Sequence, residues 1–269
     1  MSPPCLYMET RGSGPDLCLL HGWGTHGGIW ADWVASLAAS HRVHVIDLPG
    51  HGGSGAQAGS EGFVLQEAAA RVRATLVAAG VERVAVCGWS LGGLVGLQLA
   101  LDAPALVTRL VLLASTPRFV NGEDWAWGVA PGVLDDFAVD LEEDTEATLQ
   151  RFLALQAQGS PRARETIRAL RAALAARPAE HAGAQPAALR GALRVLRETD
   201  LRGRLEALET PALWVGGRRD VLVRPAALDW AAGRCRRGQA YIVPAAGHAP
   251  FISHAGELLA PVRGFLGHG

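Results

Sequence analysis

The sequence predicts an α/β architecture: a mostly parallel central sheet with helices on both faces and an inserted helical cap. Three observations carry this. Short apolar runs at residues 17–20, 42–46, 83–87 and 110–114 lack polar alternation, as strands buried on both faces do. Helical periodicities separate the runs, the order that produces parallel crossovers. From 117 to 198 strand-like runs stop altogether, and strand character returns at 212–216. The expected organisation is therefore core 1–116, helical cap 117–198 and core 199–269.

In chain order, residues 6–10 alternate as an edge strand, and Gly12-Ser-Gly-Pro15 turns the chain. Strand 17–20 ends in His21-Gly-Trp-Gly24. Strand 42–46 runs into Asp47-Leu-Pro-Gly-His-Gly-Gly-Ser54, where proline and glycine fix a tight loop. Asp47, His51 and His21 are read as loop-holding residues. Residues 61–80 read as a helix closed by Gly80. Strand 83–87 leads through Gly-Trp-Ser-Leu-Gly (88–92) into a helix over 91–101. Small residues at 88 and 92 let strand and helix close on each other. Ser90 is left at the tip of a strained turn, beside a helix N-terminus that favours negative charge. After the cap, strand 212–216 runs into Gly-Arg-Arg-Asp220, a helix covers 226–236, and strand 240–243 runs into Pro-Ala-Ala-Gly-His248.

Composition narrows the function classes. Hydrophobic residues make up 49% and charged residues 19% of 269, an ordinary globular balance. A formal net charge of −1 argues against nucleic acid or a membrane surface as partner. All 25 basic residues are arginine, which excludes Schiff-base and lysine-base chemistry. Cys5, Cys18, Cys87 and Cys235 are scattered and suit a reducing compartment. No signal peptide or membrane-length apolar run is visible, so a cytoplasmic monomer is expected. No metal-ligand spacing and no cofactor motif are present, so neither a metal nor a cofactor is expected.

Strand, G-x-S-x-G and helix together resemble the nucleophile elbow of α/β-hydrolases. A serine hydroxyl needs a base within hydrogen-bond reach. Ser90, Asp220 and His248 occur in the chain order this fold uses, giving nucleophile, orienting acid and base. Asp47, Asp200 and Asp229 are rival acids, but none follows a C-terminal strand as Asp220 does. His254 is the rival base. The resemblance to this fold implies an oxyanion pair made of the Trp23 N–H, from the His-Gly-X segment, and the Leu91 N–H, and the Trp23 indole would wall the pocket.

The cap is divided in charge. Residues 123–146 carry nine acidic residues and no arginine, while 151–197 carry nine arginines against Glu165 and Glu180. On the helix over 161–177, Ala163, Ile167, Leu170 and Leu174 form an apolar stripe beside Arg164, Arg168 and Arg171. This cationic stripe is either a solvated face paired with the acidic half or a dock for an acidic partner.

The segments 19–24 (LLHGWG), 88–94 (GWSLGGL), 151–156 (RFLALQ), 199–202 (TDLR) and 248–254 (HAPFISH) together resemble the BioH family along the whole chain. Those proteins are pimeloyl-acyl-carrier protein methyl ester carboxylesterases of biotin synthesis. The resemblance implies a carrier protein bearing a pimeloyl methyl ester as partner. It also implies an acyl channel lined by Phe152, Leu153, Ala154, Leu155 and Gln156, next to Trp23, Ser90, Leu91 and His248. Arg151, Arg164 and Arg168 would meet the carrier. Ala147 stands where that family can carry a further arginine, so a weaker dock is expected. Other readings stay open: a general short-chain acyl esterase or carbon–carbon bond hydrolase using the same residues, and a non-catalytic ligand-binding relative.

Overall fold

The computed structural model describes residues 5–57, 62–178, 181 and 183–267. Seven strands form one sheet in the order β1-β3-β2-β4-β5-β6-β7. In the first part of the chain these are β1 (Met8–Arg11), β2 (Asp16–Leu20), α1 (Ala31–Leu37), β3 (Arg42–Ile46), α2 (Leu65–Ala78), β4 (Val84–Trp89), α3 (Leu91–Asp102) and β5 (Val107–Leu113). Four helices follow before the next strand: α4 (Pro131–Glu143), α5 (Thr145–Ala157), α6 (Ala163–Ala175) and α7 (Pro186–Glu198). The chain then completes the sheet with β6 (Ala212–Gly217), α8 (Pro225–Arg234), β7 (Gly238–Val243), α9 (Pro250–Ser253) and α10 (Ala255–Leu266). Only β1 is antiparallel, paired with β3 at the edge.

Side chains alternate across the sheet and divide the core in two. Cys18, Leu20, Val84, Val86, Leu110 and Leu112 face the cluster that contains α2, α3 and α8 residues. Leu17, Leu19, Cys87, Trp89, Val111 and Leu113 face the cluster with Trp30, Trp33, Phe251 and α10. Every residue of β4 is buried, as is α3 from Leu91 to Ala100, so the serine turn lies between the most enclosed strand and helix. The four cysteines are free, and burial pushes the Cys18 and Cys87 thiols up, leaving them packing groups.

Three differences from the sequence reading have simple causes. The edge strand begins at Met8 rather than residue 6, because Leu6 turns inward and donates its N–H to Thr75 Oγ1 at 2.9 Å. The helix expected over 61–80 begins at Leu65, and residue 61 lies outside the described residues. Helix α1 was not read from the sequence: its seven residues bury only Trp33 and Leu37, too short a pattern to show periodicity.

Several histidines are buried as neutral rings. His21 Nδ1–H donates to the Gly22 carbonyl at 2.8 Å while Nε2 accepts the Leu48 N–H at 2.9 Å. Burial pushes His21 well below the ordinary histidine range, and it lowers His26 and His51 in the same direction. An unfolded chain therefore binds protons near pH 6 that the folded chain refuses, so stability is full above the unfolded value and falls with acidification. The thermal midpoint is expected to drop by several degrees between pH 7.5 and pH 5 in a buffer series followed by circular dichroism. A midpoint that held constant or rose would contradict this.

Candidate active site

The elbow is built by missing side chains. A Cβ on Gly88 would lie 2.3 Å from the Gly92 carbonyl oxygen, and one on Gly92 would lie 2.4 Å from the Leu20 carbonyl oxygen. Glycine at both positions thus lets β4, α3 and the end of β2 touch backbone to backbone. Ser90 takes φ 53° and ψ −115°, a conformation unfavourable for a non-glycine residue. Four hydrogen bonds hold its backbone there: its N–H donates to the Leu113 carbonyl, and its own carbonyl accepts from the N–H groups of Gly93 and Leu94 and from the Ser115 hydroxyl.

His248 and Asp220 arrive from loops after β7 and β6. The Ser90 hydroxyl lies 2.9 Å from His248 Nε2, and His248 Nδ1 lies 2.8 Å from Asp220 Oδ2. Since a carboxylate only accepts, Nδ1 carries the proton and Nε2 is free to accept from serine. Asp220 Oδ1 is fixed by the N–H groups of Leu222 (2.8 Å) and Val223 (3.0 Å). The side chains of His248 and Asp220 are almost fully buried, at 1% and 0% exposure, which shields their contact from water. The imidazole is also held through its backbone. Trp89 Nε1 donates to the His248 carbonyl at 2.8 Å, and His248 N–H donates to Gln156 O at 3.0 Å.

None of the rival groups joins this chain of bonds. Asp47 binds Gly27, Gly53 and Arg177, Asp200 binds Arg118 and Arg202, and His254 binds Ser253. Asp229 lies exposed on α8.

Leu91 is the first residue of α3, so its N–H has no acceptor within the helix. Trp23 is 1% exposed. Its indole donates to the Leu189 carbonyl on α7 at 2.9 Å and meets Phe152 edge-on at 4.6 Å.

The structure divides the run proposed for the acyl channel. On α5, successive residues point about 100° apart. Phe152 faces Trp23, and Gln156 is buried with its carbonyl on His248. Leu153 belongs to the cluster of Trp89 and Phe251. Ala154 and Leu155 turn outward and line a surface recess of about 590 Å³ with Val133 and Phe137. Phe152 and Gln156, one turn apart, are thus the residues of this run that meet Trp23 and His248.

The three arginines also separate. Arg151 on α5 is paired with Asp140 of α4 and lies 5.7 Å from the Phe137 ring centre, so it is engaged between these two helices. Arg164 and Arg168 are exposed on α6, and among the described residues neither has an acidic partner. Trp89, Ser115 and Leu189 are positioning groups that the sequence reading passed over. Only Trp89 had a signal, its place inside G-x-S-x-G.

A family model of the alpha/beta hydrolase fold matches residues 15–255, and the chain belongs to that family. An esterase from Exiguobacterium antarcticum superposes with TM-score 0.85 at 20% identity, covering 96% of this chain and 93% of that one, which shows the shared fold. A pimeloyl-acyl-carrier protein methyl ester esterase of Stenotrophomonas maltophilia is 43% identical over 265 residues, 97% of this chain and 96% of the relative. Its counterpart in Aeromonas hydrophila is 44% identical over 260 residues, 97% of this chain and 98% of the relative. The chain belongs to this family of carboxylic ester hydrolases.

Asp220→Asn keeps an oxygen for Leu222 and Val223 but turns an NH₂ toward His248 Nδ1, forcing the wrong tautomer. With p-nitrophenyl butyrate, kcat is expected to fall about 10⁴-fold, with the thermal midpoint nearly unchanged. A loss smaller than tenfold would remove Asp220 from the mechanism.

Proposed function

We propose that this protein hydrolyses the methyl ester of pimeloyl-acyl-carrier protein to the free acid and methanol, a step of biotin synthesis. The observation that carries the chemistry is the bonded chain Ser90–His248–Asp220, at 2.9 and 2.8 Å. The substrate assignment rests on relatives 38–44% identical over nearly the full chain.

Ser90 Oγ attacks the ester carbonyl as its proton passes to His248 Nε2. The carbonyl electrons move onto oxygen, which the N–H groups of Trp23 and Leu91 receive. Asp220 stabilises the imidazolium and keeps Nδ1 protonated. Collapse of the tetrahedral intermediate expels methoxide, which takes the Nε2 proton and leaves as methanol. Water then attacks the acyl-serine, giving its proton to His248, and a second collapse returns that proton to Ser90.

In this reading residues 117–198 act as a cap over the core formed by 1–116 and 199–269. Phe152 and Trp23 present an apolar wall to the pimeloyl chain. Arg164 and Arg168, exposed and without acidic partners among the described residues, are cationic groups available to an acidic carrier. Arg151 would have to leave Asp140 to take part. A general short-chain esterase would share the catalytic residues but make no use of the α6 arginines.

The test compares the carrier-bound methyl ester with free dimethyl pimelate. An exposed charge contact is worth about 0.2–1 kcal/mol, so Arg164→Ala with Arg168→Ala is expected to raise KM for the carrier ester roughly two- to thirtyfold. The free diester should be turned over unchanged. Equal effects on both substrates would contradict carrier docking. Failure of the wild type to cleave the carrier ester, with dimethyl pimelate still cleaved, would favour the general esterase.

A further inference from the structure

Asp47 stands where three stretches of chain meet. Its carboxylate is fully buried: Oδ1 accepts the Gly27 N–H at 2.7 Å, and Oδ2 accepts the Gly53 N–H at 2.8 Å. Oδ2 also receives Arg177 Nη1 at 2.5 Å. Gly27 opens the short 3-10 turn Gly27–Trp30 that ends the loop starting at His21 and carrying Trp23. A Cβ at Gly27 would lie 2.3 Å from Val45 Cγ1 and 3.0 Å from Asp47 Oδ1, so the loop backbone is pressed directly onto this carboxylate.

Arg177 comes from the cap, just beyond the C-terminal end of α6. Its side chain is only 10% exposed, its Nη2 reaches Glu9 Oε1 at 2.9 Å, and its guanidinium lies 5.3 Å from the Tyr7 ring centre. A second bond runs in parallel. His26 Nε2–H donates to the Leu174 carbonyl of α6 at 3.1 Å, while His26 Nδ1 accepts the Gly28 N–H at 3.1 Å. The end of α6 therefore grips the Trp23 loop at Gly27, through Asp47, and at Gly28, through His26.

We propose that Arg177 is a positioning residue for the hydrolysis: through Asp47 and Gly27 it fixes the loop whose Trp23 N–H receives the oxyanion. The inference rests on the reading of Trp23 as an oxyanion donor given under Proposed function. Its physical basis is the cost of a buried carboxylate without a cation. Removing Arg177 leaves Asp47 charged, enclosed and undercompensated, and the carboxylate must turn or draw in water. Either response loosens its bond to Gly27. Oxyanion donors act only when held at about 2.7–3.1 Å from the developing charge, so drift of the loop weakens transition-state binding more than substrate binding. The same connection links α6, which bears Arg164 and Arg168, to the reacting centre.

The experiment uses the full chain with p-nitrophenyl butyrate, counting competent sites by phosphonate labelling run to completion. Arg177→Met is expected to lower kcat per labelled site about tenfold, with KM changed less than about threefold. Affinity for butylboronic acid, which forms a tetrahedral adduct on serine, should weaken by a similar factor, while affinity for butyrate stays constant. Arg177→Lys should recover part of the loss. Arg197→Met, which breaks a cap ion pair with Asp135 and Glu198, should change none of these. A lowered thermal midpoint with kcat and boronate affinity per labelled site intact would overturn the proposal and leave Arg177 a stabilising latch. If the methionine variant does not accumulate, Arg177→Lys decides by itself: weaker boronate binding supports the proposal, and unchanged binding overturns it. Ser90→Ala is run alongside, because turnover surviving there would defeat the serine mechanism itself, whatever Arg177 does.

Discussion

The close approach of three backbones at the elbow is the constraint on which the rest of the site depends. With Gly88 against Gly92, and Gly92 against the end of β2, no side chain separates the nucleophile turn from the His21–Gly24 loop. That proximity sets the first turn of α3 against the Leu20 and His21 carbonyls, where the loop after β2 begins. The strained backbone at Ser90 is sustained by the fully buried strand and helix on either side, whose packing leaves it no room to relax. The outer strands then deliver Asp220 and His248 to a serine whose place is already set.

The helices between β5 and β6 contribute more than shelter. Gln156 on α5 accepts the His248 N–H, Leu189 on α7 accepts the Trp23 indole N–H, and Arg177 after α6 meets Asp47 beneath the Trp23 loop. Each of these contacts reaches a different part of the catalytic apparatus. These helices thus help to hold both the proposed base and the proposed oxyanion loop, and a change on their outer surface has a physical route to the site.

Much of this was legible in the sequence. Buried strands appear as unbroken apolar runs, and the elbow shows itself because its geometry tolerates so few residues. Ser90, Asp220 and His248 could be ordered because each follows a strand that the pattern reveals. What was hidden depends on three-dimensional direction. Residues 152–156 read as one lining, yet helical rotation sends Ala154 and Leu155 outward and keeps Phe152 and Gln156 inward. Arg151 looks equivalent to Arg164 and Arg168 until the fold brings Asp140 beside it. Arg177 had no signal at all, since its partners Asp47 and Glu9 lie more than a hundred residues earlier in the chain.

If Ser90 carries the acyl group while methanol leaves, the acyl-serine can be trapped during the first turnover. Wild-type protein would be mixed with the carrier-bound pimeloyl methyl ester, quenched in acid during the first turnover, digested and analysed by mass spectrometry. A methanol burst equal to the enzyme concentration is expected, with a pimeloyl group on the peptide containing Ser90. A methanol burst with Ser90 unmodified, or with the acyl group on another residue, would contradict that expectation.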